Sequence, residues 1–492
     1  MPAETKNKQN SKETTRQNSK YRSAKKDASK STISSSITAV SHDVTTGRIN
    51  LISRSRVNTS SSSRLLTPID AEKRLSGLYG NTQNTSLRKK RTPTRHLTLK
   101  AAPRVPTAPK DPVTIKKNWL ITQTKLHIKS LDLPLLAITG ILCIIGIISI
   151  YSATHSFESS RFLLVQIFAT LMGFGVMTAL SLLDYRQFIS KYRIIIIINA
   201  AILIFTFIFG KSVTESSNAN WIDLGIIKIQ PSEFAKLLFI YSFAVHLSQV
   251  RDRLNKISTV ITLFVHAAII FGLVLLQKDL GSLTIFMFIF IAMCFAAGLS
   301  FWYYIAGAFV AVCISPFIWS RLSTYQKDRI MLCFDSSIDP TGIGIRYQQM
   351  RSQTAIGNGG ITGTRYLEGT VTQAVDGHLP AKHTDMIFST ICEEWGLIGA
   401  CIVLAITVLL VIKVMKISLA CDNLTGKYIC TGVASMLMIQ VVENVGMCLG
   451  IMPVIGITFP FLSYGGSSML SSFMAIGIVL SVCCHEEKTF FG

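Results

Sequence analysis

The stretch His378-Leu379-Pro380-Ala381-Lys382-His383-Thr384-Asp385 ends a polar segment, residues 321–384, and leads directly into a long apolar run. From residue 132 onward the chain is otherwise mostly apolar runs, each of the length a helix needs to cross a hydrocarbon core of about 30 Å. Hydrocarbon gives polar groups no partners, so a segment this rich in Gly, Arg, Gln and acid belongs at a water interface. Asp385 lies where the chain re-enters the membrane. An ionisable group at that boundary is a candidate for chemistry.

Composition points the same way. Of 492 residues, 49% are hydrophobic and 15% charged, the balance of an integral membrane protein. The formal charge of +22 is concentrated at one end. Residues 1–130 hold 27 Lys and Arg against 7 Asp and Glu, whereas the other 362 residues hold 22 against 20. Ser, Thr, Asn and cations dominate the beginning of the chain without an apolar period, so residues 1–125 are expected to be a disordered basic tail. Its run Arg88-Lys89-Lys90-Arg91 suits anionic lipid headgroups, or a cytoplasmic partner, better than nucleic acid. Residues 113–130 carry Trp119, Leu120 and Leu126 among lysines and suit an interfacial helix. No short apolar run opens the chain, so no cleavable signal peptide is expected. The eleven cysteines show no CxxC spacing and read as packing residues rather than disulfides or zinc ligands.

Residues 130–485 therefore read as one all-α polytopic membrane domain. About ten transmembrane helices are expected, over 132–152, 162–183, 193–210, 234–250, 257–276, 282–298, 301–319, 386–412, 429–451 and 460–482. With the basic tail inside, the even-numbered connections should be cytoplasmic. They hold Arg186, Lys191 and Arg193, then Arg251, Arg253 and Lys256, then Lys413, Lys416 and Lys427. Both termini are then cytoplasmic, and the large loop between helices 7 and 8 is extracytoplasmic.

Several polar groups stand out against this background. Gly357, Gly359, Gly360 and Gly363 would let backbone N–H groups converge on an anion or a sugar pyrophosphate, although such runs also make ordinary turns. Asp385 could simply sit in the first turn of a helix after a Thr384 N-cap, a role worth about 0.3–1 kcal/mol. Glu393 and Glu394 fall two turns into an apolar helix, where a charge costs roughly 2.5–3.5 kcal/mol. They are expected to face a polar cavity, pair with a base or be protonated. Glu233 and Lys236 are three apart on one helical face, and either pair with each other or face a substrate. His378 and His383 flank Pro380 near Asp385 without the fixed spacing of a metal site.

Together these elements resemble the SEDS family (shape, elongation, division and sporulation), the RodA/FtsW/SpoVE-type peptidoglycan glycosyltransferases. The resemblance covers about residues 130–485 and runs in family order. It comprises Tyr151-Ser152-Ala153, Trp221 to Gly225 with Gln230-Pro231-Ser232-Glu233, Asp279-Leu280-Gly281, the glycine-rich loop, Leu379-Pro380 with His383-Thr384-Asp385, Glu393-Glu394, and Ser463-Tyr464-Gly465-Gly466-Ser467. Three positions depart from the family pattern: Ala381 replaces an acid, Asn220 a basic residue, and Met386 the Phe that follows the Asp. The segments Asp339-Pro340 to Gly344 and Pro453-Val454-Ile455-Gly456 look slightly more RodA-like than FtsW-like.

The resemblance implies that the chain polymerises lipid II into glycan strands for elongation and shape, outside the bacterial cytoplasmic membrane. A class B penicillin-binding transpeptidase would be its partner. Asp385 would be the catalytic base. Substrate contacts would come from Glu233, Lys236, Gly357, Gly359, Gly360, Arg365, His383, Thr384, Glu393, Ser463, Tyr464 and Gly465. Lys236, Arg329, Arg346, Arg365 and Lys382 are candidates to meet the departing pyrophosphate, and a divalent cation, Mg or Mn, could share that task. The competing readings are a division-type polymerase, a lipid II flippase or transporter whose buried polar residues mark a path, and a non-catalytic scaffold. Against transport, the richest polar constellation lies in one outward loop, and no repeat relates the two halves.

Overall fold

The computed structural model describes residues 131–156, 160–210, 220–223, 228–374 and 379–486. The expected tail, the segment 113–130 and His378 lie outside the described residues. The helices are α1 (Leu133–His155), α2 (Arg161–Leu182), α3 (Tyr192–Phe209), α4 (Pro231–Val250), α5 (Ile257–Leu276), α6 (Leu280–Ala297), α7 (Phe301–Arg321), α8 (Thr324–Met331), α9 (Tyr347–Gly359), α10 (Ile387–Ala420), α11 (Leu424–Leu449) and α12 (Gly466–His485). The only described sheet is a two-stranded one of β1 (Ile222–Asp223) and β2 (Lys228–Ile229), paired antiparallel just before α4.

Nine helices among the described residues are long and apolar enough to cross a membrane. The remaining expected span, 234–250, corresponds to α4. Its 20 residues give about 30 Å of helix at 1.5 Å per residue, so polarity and not length sets it apart. It packs against α3, α5, α6, α11 and α12, and these neighbours shield Glu233 and Lys236 from lipid. A helix so enclosed needs no apolar stripe facing hydrocarbon. Burial is graded across the domain: 72% of the spanning window of α11 and of α12 is buried, and none of that of α7. Gly173 on α2 admits the Phe473 ring of α12, whose carbon would stand 2.1 Å from an added Cβ. Asp132 caps α1 through the Leu135 N–H at 3.0 Å and pairs with Lys413 of α10 at 2.8 Å.

Several boundaries differ from the sequence reading, among them the end of α10, at Ala420 rather than 412, and the start of α11, at Leu424 rather than 429. The last span begins at Gly466 rather than near 460, because residues 460–464 use their backbone and side chains on neighbours instead. The polar segment 321–384 is not a plain loop but contains α8, a short 3-10 turn and α9. The start of α8 carries a capping box between Ser323 and Gln326.

Candidate active site

Asp385 sits in a tight turn just ahead of α10. The Thr384 and Met386 N–H groups both donate to the Ala381 carbonyl, at 3.0 and 3.1 Å, with Ala381 itself in the left-handed region at φ 54°. This turn delays the helix to Ile387, so Met386 is its N-cap, without a side-chain cap. The expected Thr384 cap is therefore not formed, and the Thr384 hydroxyl donates to Ala381 O instead.

The irregular segment before α12 closes around this turn. The Ser463 hydroxyl donates to Thr384 O at 2.7 Å, and the Tyr464 N–H donates to His383 O at 2.8 Å. The Asn444 amide of α11 reaches Asp385 O at 2.8 Å and Ile457 O at 2.7 Å. Rings of Phe162, His383 and Tyr464 gather with centroids 4.9 to 5.5 Å apart. Gly456 stands at φ 75°, and a Cβ there would lie 3.5 Å from Asp385 Oδ2. Of the expected substrate residues, His383, Thr384, Ser463 and Tyr464 thus converge on Asp385, with Gly465 next in the chain. Gly456 and Arg329 join them. The Arg329 guanidinium donates to Val454 O at 2.7 Å and to the Tyr325 hydroxyl, and lies 4.4 Å from the Tyr325 ring centroid. The sequence already offers Arg329 as a candidate for the pyrophosphate, whereas Gly456 enters there only as part of the segment 453–456.

Burial pushes the Asp385 carboxyl up from 3.8 to about 6, with the Thr384 hydroxyl and the Arg329 charge pulling the other way. Burial and the neighbouring Lys382 push His383 down to about 4, so its ring is neutral at pH 7. Burial also pushes Lys382 down to about 8, against the charges of Glu393 and Glu394.

A second polar cluster lies beside the first turns of α10. Glu393 accepts from the Thr370 hydroxyl at 3.0 Å and from the Val371 and Thr372 N–H groups at 2.8 Å each. Glu394 accepts from the Ser152 hydroxyl and from the Gln373 amide. Lys382 donates to Ser156 Oγ at 2.6 Å and to Thr372 O. The polar segment folds down along α10 and satisfies the two acids that its apolar sequence left unexplained. Glu393, with both oxygens engaged, anchors the 370–372 turn, a different task from the substrate contact expected of it.

The glycines also do something other than expected. Gly360 and Gly363 N–H groups bond to the carbonyls of Gly357 and Gly359, at 3.3 and 2.8 Å, so the converging-amide cradle is not formed. Gly359 and Gly363 instead allow backbone contact with α10: an added Cβ would stand 2.0 Å from Cys392 O and 2.1 Å from Glu394 O. Opposite them α10 breaks at Gly396, φ 66°, and the Leu397 and Ile398 N–H groups bond back to Gly360 O and Ile361 O.

In a third cluster, Lys236 bonds Glu233 at 2.8 Å, and the Ser471 hydroxyl holds the other Glu233 oxygen at 2.8 Å. Both residues are buried, and the Lys236 charge also acts on Asp279 and Glu443. Glu443 adjoins Asn444, so α11 joins this cluster to Asp385. Arg365 is exposed, at φ 86°, and is not among the described residues that gather at Asp385. Among the described residues no group of three His, Cys, Asp or Glu is placed to hold a metal.

Comparison with known proteins fits this architecture. The family model described as a cell cycle protein, FtsW/RodA/SpoVE, matches residues 130–488. A probable peptidoglycan glycosyltransferase FtsW of Geobacter sulfurreducens is 32% identical over 364 residues, 72% of this chain and 96% of that protein. The peptidoglycan glycosyltransferase RodA of Treponema pallidum is 31% identical over 433 residues, 72% of this chain and 96% of that one. A chain from a peptidoglycan synthase complex that coordinates polymerization and crosslinking superposes with a TM-score of 0.61 at 27% identity, covering 72% and 97% of the two chains. With its helical membrane domain, its ordered motifs and this match across the whole domain, the chain belongs to the FtsW/RodA/SpoVE family.

Proposed function

We propose that this protein polymerises lipid II into glycan strands, with Asp385 as the general base. The observation that carries this is a carboxyl at the mouth of a spanning helix, raised to about 6 by burial and ringed by backbone-anchored polar residues. A base poised near the working pH combines sufficient ionisation with proton affinity, and such help is typically worth 10²–10⁴-fold. One Asp385 oxygen takes the proton of the acceptor's GlcNAc 4-hydroxyl. The deprotonated 4-oxygen of the acceptor attacks the donor's anomeric carbon, the bond to undecaprenyl pyrophosphate breaks, and inversion gives a β-1,4 linkage. Neutral His383 and the Tyr464 ring supply a flat apolar wall beside the carboxyl. Arg329 is the cation best placed to meet negative charge there. Its removal should shift the acid limb of the rate profile upward in pH: Arg329→Gln loses the charge that holds the Asp385 proton off, and initial rates across pH would show it.

On the charge-derived topology, both termini are cytoplasmic and Asp385 faces outward, where a class B penicillin-binding transpeptidase would crosslink the product. The cellular role is proposed to be elongation, on the segments 339–344 and 453–456. Division is the second reading, favoured by the FtsW relative at 32% identity. Complementation of elongation-depleted against division-depleted cells separates the two.

The reaction itself is tested by purified full-length protein with labelled lipid II, alone and with its transpeptidase partner. Glycan strands are expected. Lipid II that crosses a vesicle without polymerising would instead establish a flippase.

A further inference from the structure

We propose that the corner between α3, α4 and α5, on the face away from Asp385, binds one anionic phospholipid. Its phosphodiester would sit in a basic cavity and an acyl chain would run along the α3–α5 seam. The face is fixed by contacts: Asp385 adjoins Ser463 and Tyr464 before α12, whereas Arg186, just ahead of α3, donates to His485 O at the far end of α12, at 2.5 Å.

The cavity holds about 490 Å³ and is lined by Tyr192, Arg193, His246, Arg253, Lys256 and Ser258 among others, with no acid in its lining. Arg251, one turn away, is engaged by Ala297 O at the end of α6. Arg253 and Lys256 make no side-chain hydrogen bond or ion pair among the described residues. Lys256 is the N-cap of α5 without a side-chain cap, and Ser258 and Thr259, in the first turn of this 20-residue helix, line the cavity. Cations that only mark span ends would stand apart in water. Here three of them and a helix N-terminus converge on one concavity, the arrangement that holds phosphate.

A second cavity indicates that the phosphate belongs to a lipid. About 560 Å³ of apolar space opens between the same two helices, lined by Ala200, Ile204, Ile269, Gly272 and Leu273 among others. Ala200 and Gly272 leave it open by lacking bulk: a Cβ on Gly272 would meet nothing within 4 Å. Ile269 is ten residues along α5 from Thr259, or about 15 Å at the helical rise. That is the depth of one leaflet of a core about 30 Å thick. A headgroup in the basic cavity therefore places an acyl chain at the apolar one. Soluble phosphate would use only the first.

The full-length chain is purified, exchanged into micelles doped with phosphatidylglycerol or phosphatidylcholine, and its retained lipids are counted by native mass spectrometry. Wild type is expected to keep one more phosphatidylglycerol than Arg193→Gln/Arg253→Gln/Lys256→Gln, whose affinity should fall about a hundredfold, roughly fivefold per cation. Gly272→Leu, with every charge intact, should also lose that lipid, and it decides the matter if the triple variant does not fold. Excess inorganic phosphate should leave the lipid in place. Equal retention of phosphatidylcholine would overturn the proposal. So would wild-type retention by either variant, or displacement of the lipid by phosphate.

Discussion

Asp385→Asn is expected to lower the initial rate of lipid II polymerisation about 10²–10⁴-fold while leaving the protein folded. The side chains differ by one terminal atom, so volume and turn are kept. The contacts that Asn444 and Ser463 make in this turn go to the backbone carbonyls of Asp385 and Thr384, and these survive the change. Asn cannot accept the acceptor's proton, so the loss falls on the chemical step. Stability should hold or rise, because burial disfavours the ionised carboxyl: the folded pKa of about 6 exceeds 3.8, and the native carboxyl's contribution weakens as pH climbs through that window. Product-strand assays at pH 8, beside thermal unfolding in detergent, read both effects. A variant as fast as wild type would remove the base from the account.

The largest stability effect is expected for Lys236→Met. Lys236 is fully buried and pairs with Glu233 at 2.8 Å, with Asp279 and Glu443 within reach of its charge. Removing one partner of a buried ion pair typically costs about 3–5 kcal/mol, because the other charge stays behind without compensation. Lys236→Met should therefore lower the melting temperature and the folded yield sharply. Glu233→Gln/Lys236→Met should recover much of both, since a neutral amide can keep the Ser471 hydroxyl as partner. A double variant no more stable than the single one would show that Lys236 acts on Asp279 or Glu443 rather than through Glu233.

Why some features were legible in sequence and others were not follows from how far each physical cause reaches. Span length is local, so α5 runs from Ile257 to Leu276 as its apolar residues require. The pairing of Glu233 with Lys236 is local too, set by helical spacing. The partners of Glu393 were not legible, because Val371 and Thr372 approach it only after the polar segment folds back along α10. The glycines misled for the same reason. Gly359 and Gly363 have no side chain because a backbone more than thirty residues away, at Cys392 and Glu394, occupies that space. Sequence offers Arg329 as one of five cations for the pyrophosphate, but not its carbonyl partner Val454, 125 residues on. Asp385 lies two residues ahead of α10, not in its first turn as the helix-cap reading had it, because the turn on Ala381 O delays the helix.

The pH dependence of lipid II polymerisation by the wild-type protein tests the central claim most directly. With Asp385 required as its anion and held at about 6, the rate at saturating substrate should climb about tenfold per pH unit below that value and level off above it. A rate that is flat through pH 6, or that falls as pH rises through it, would contradict Asp385 as the general base.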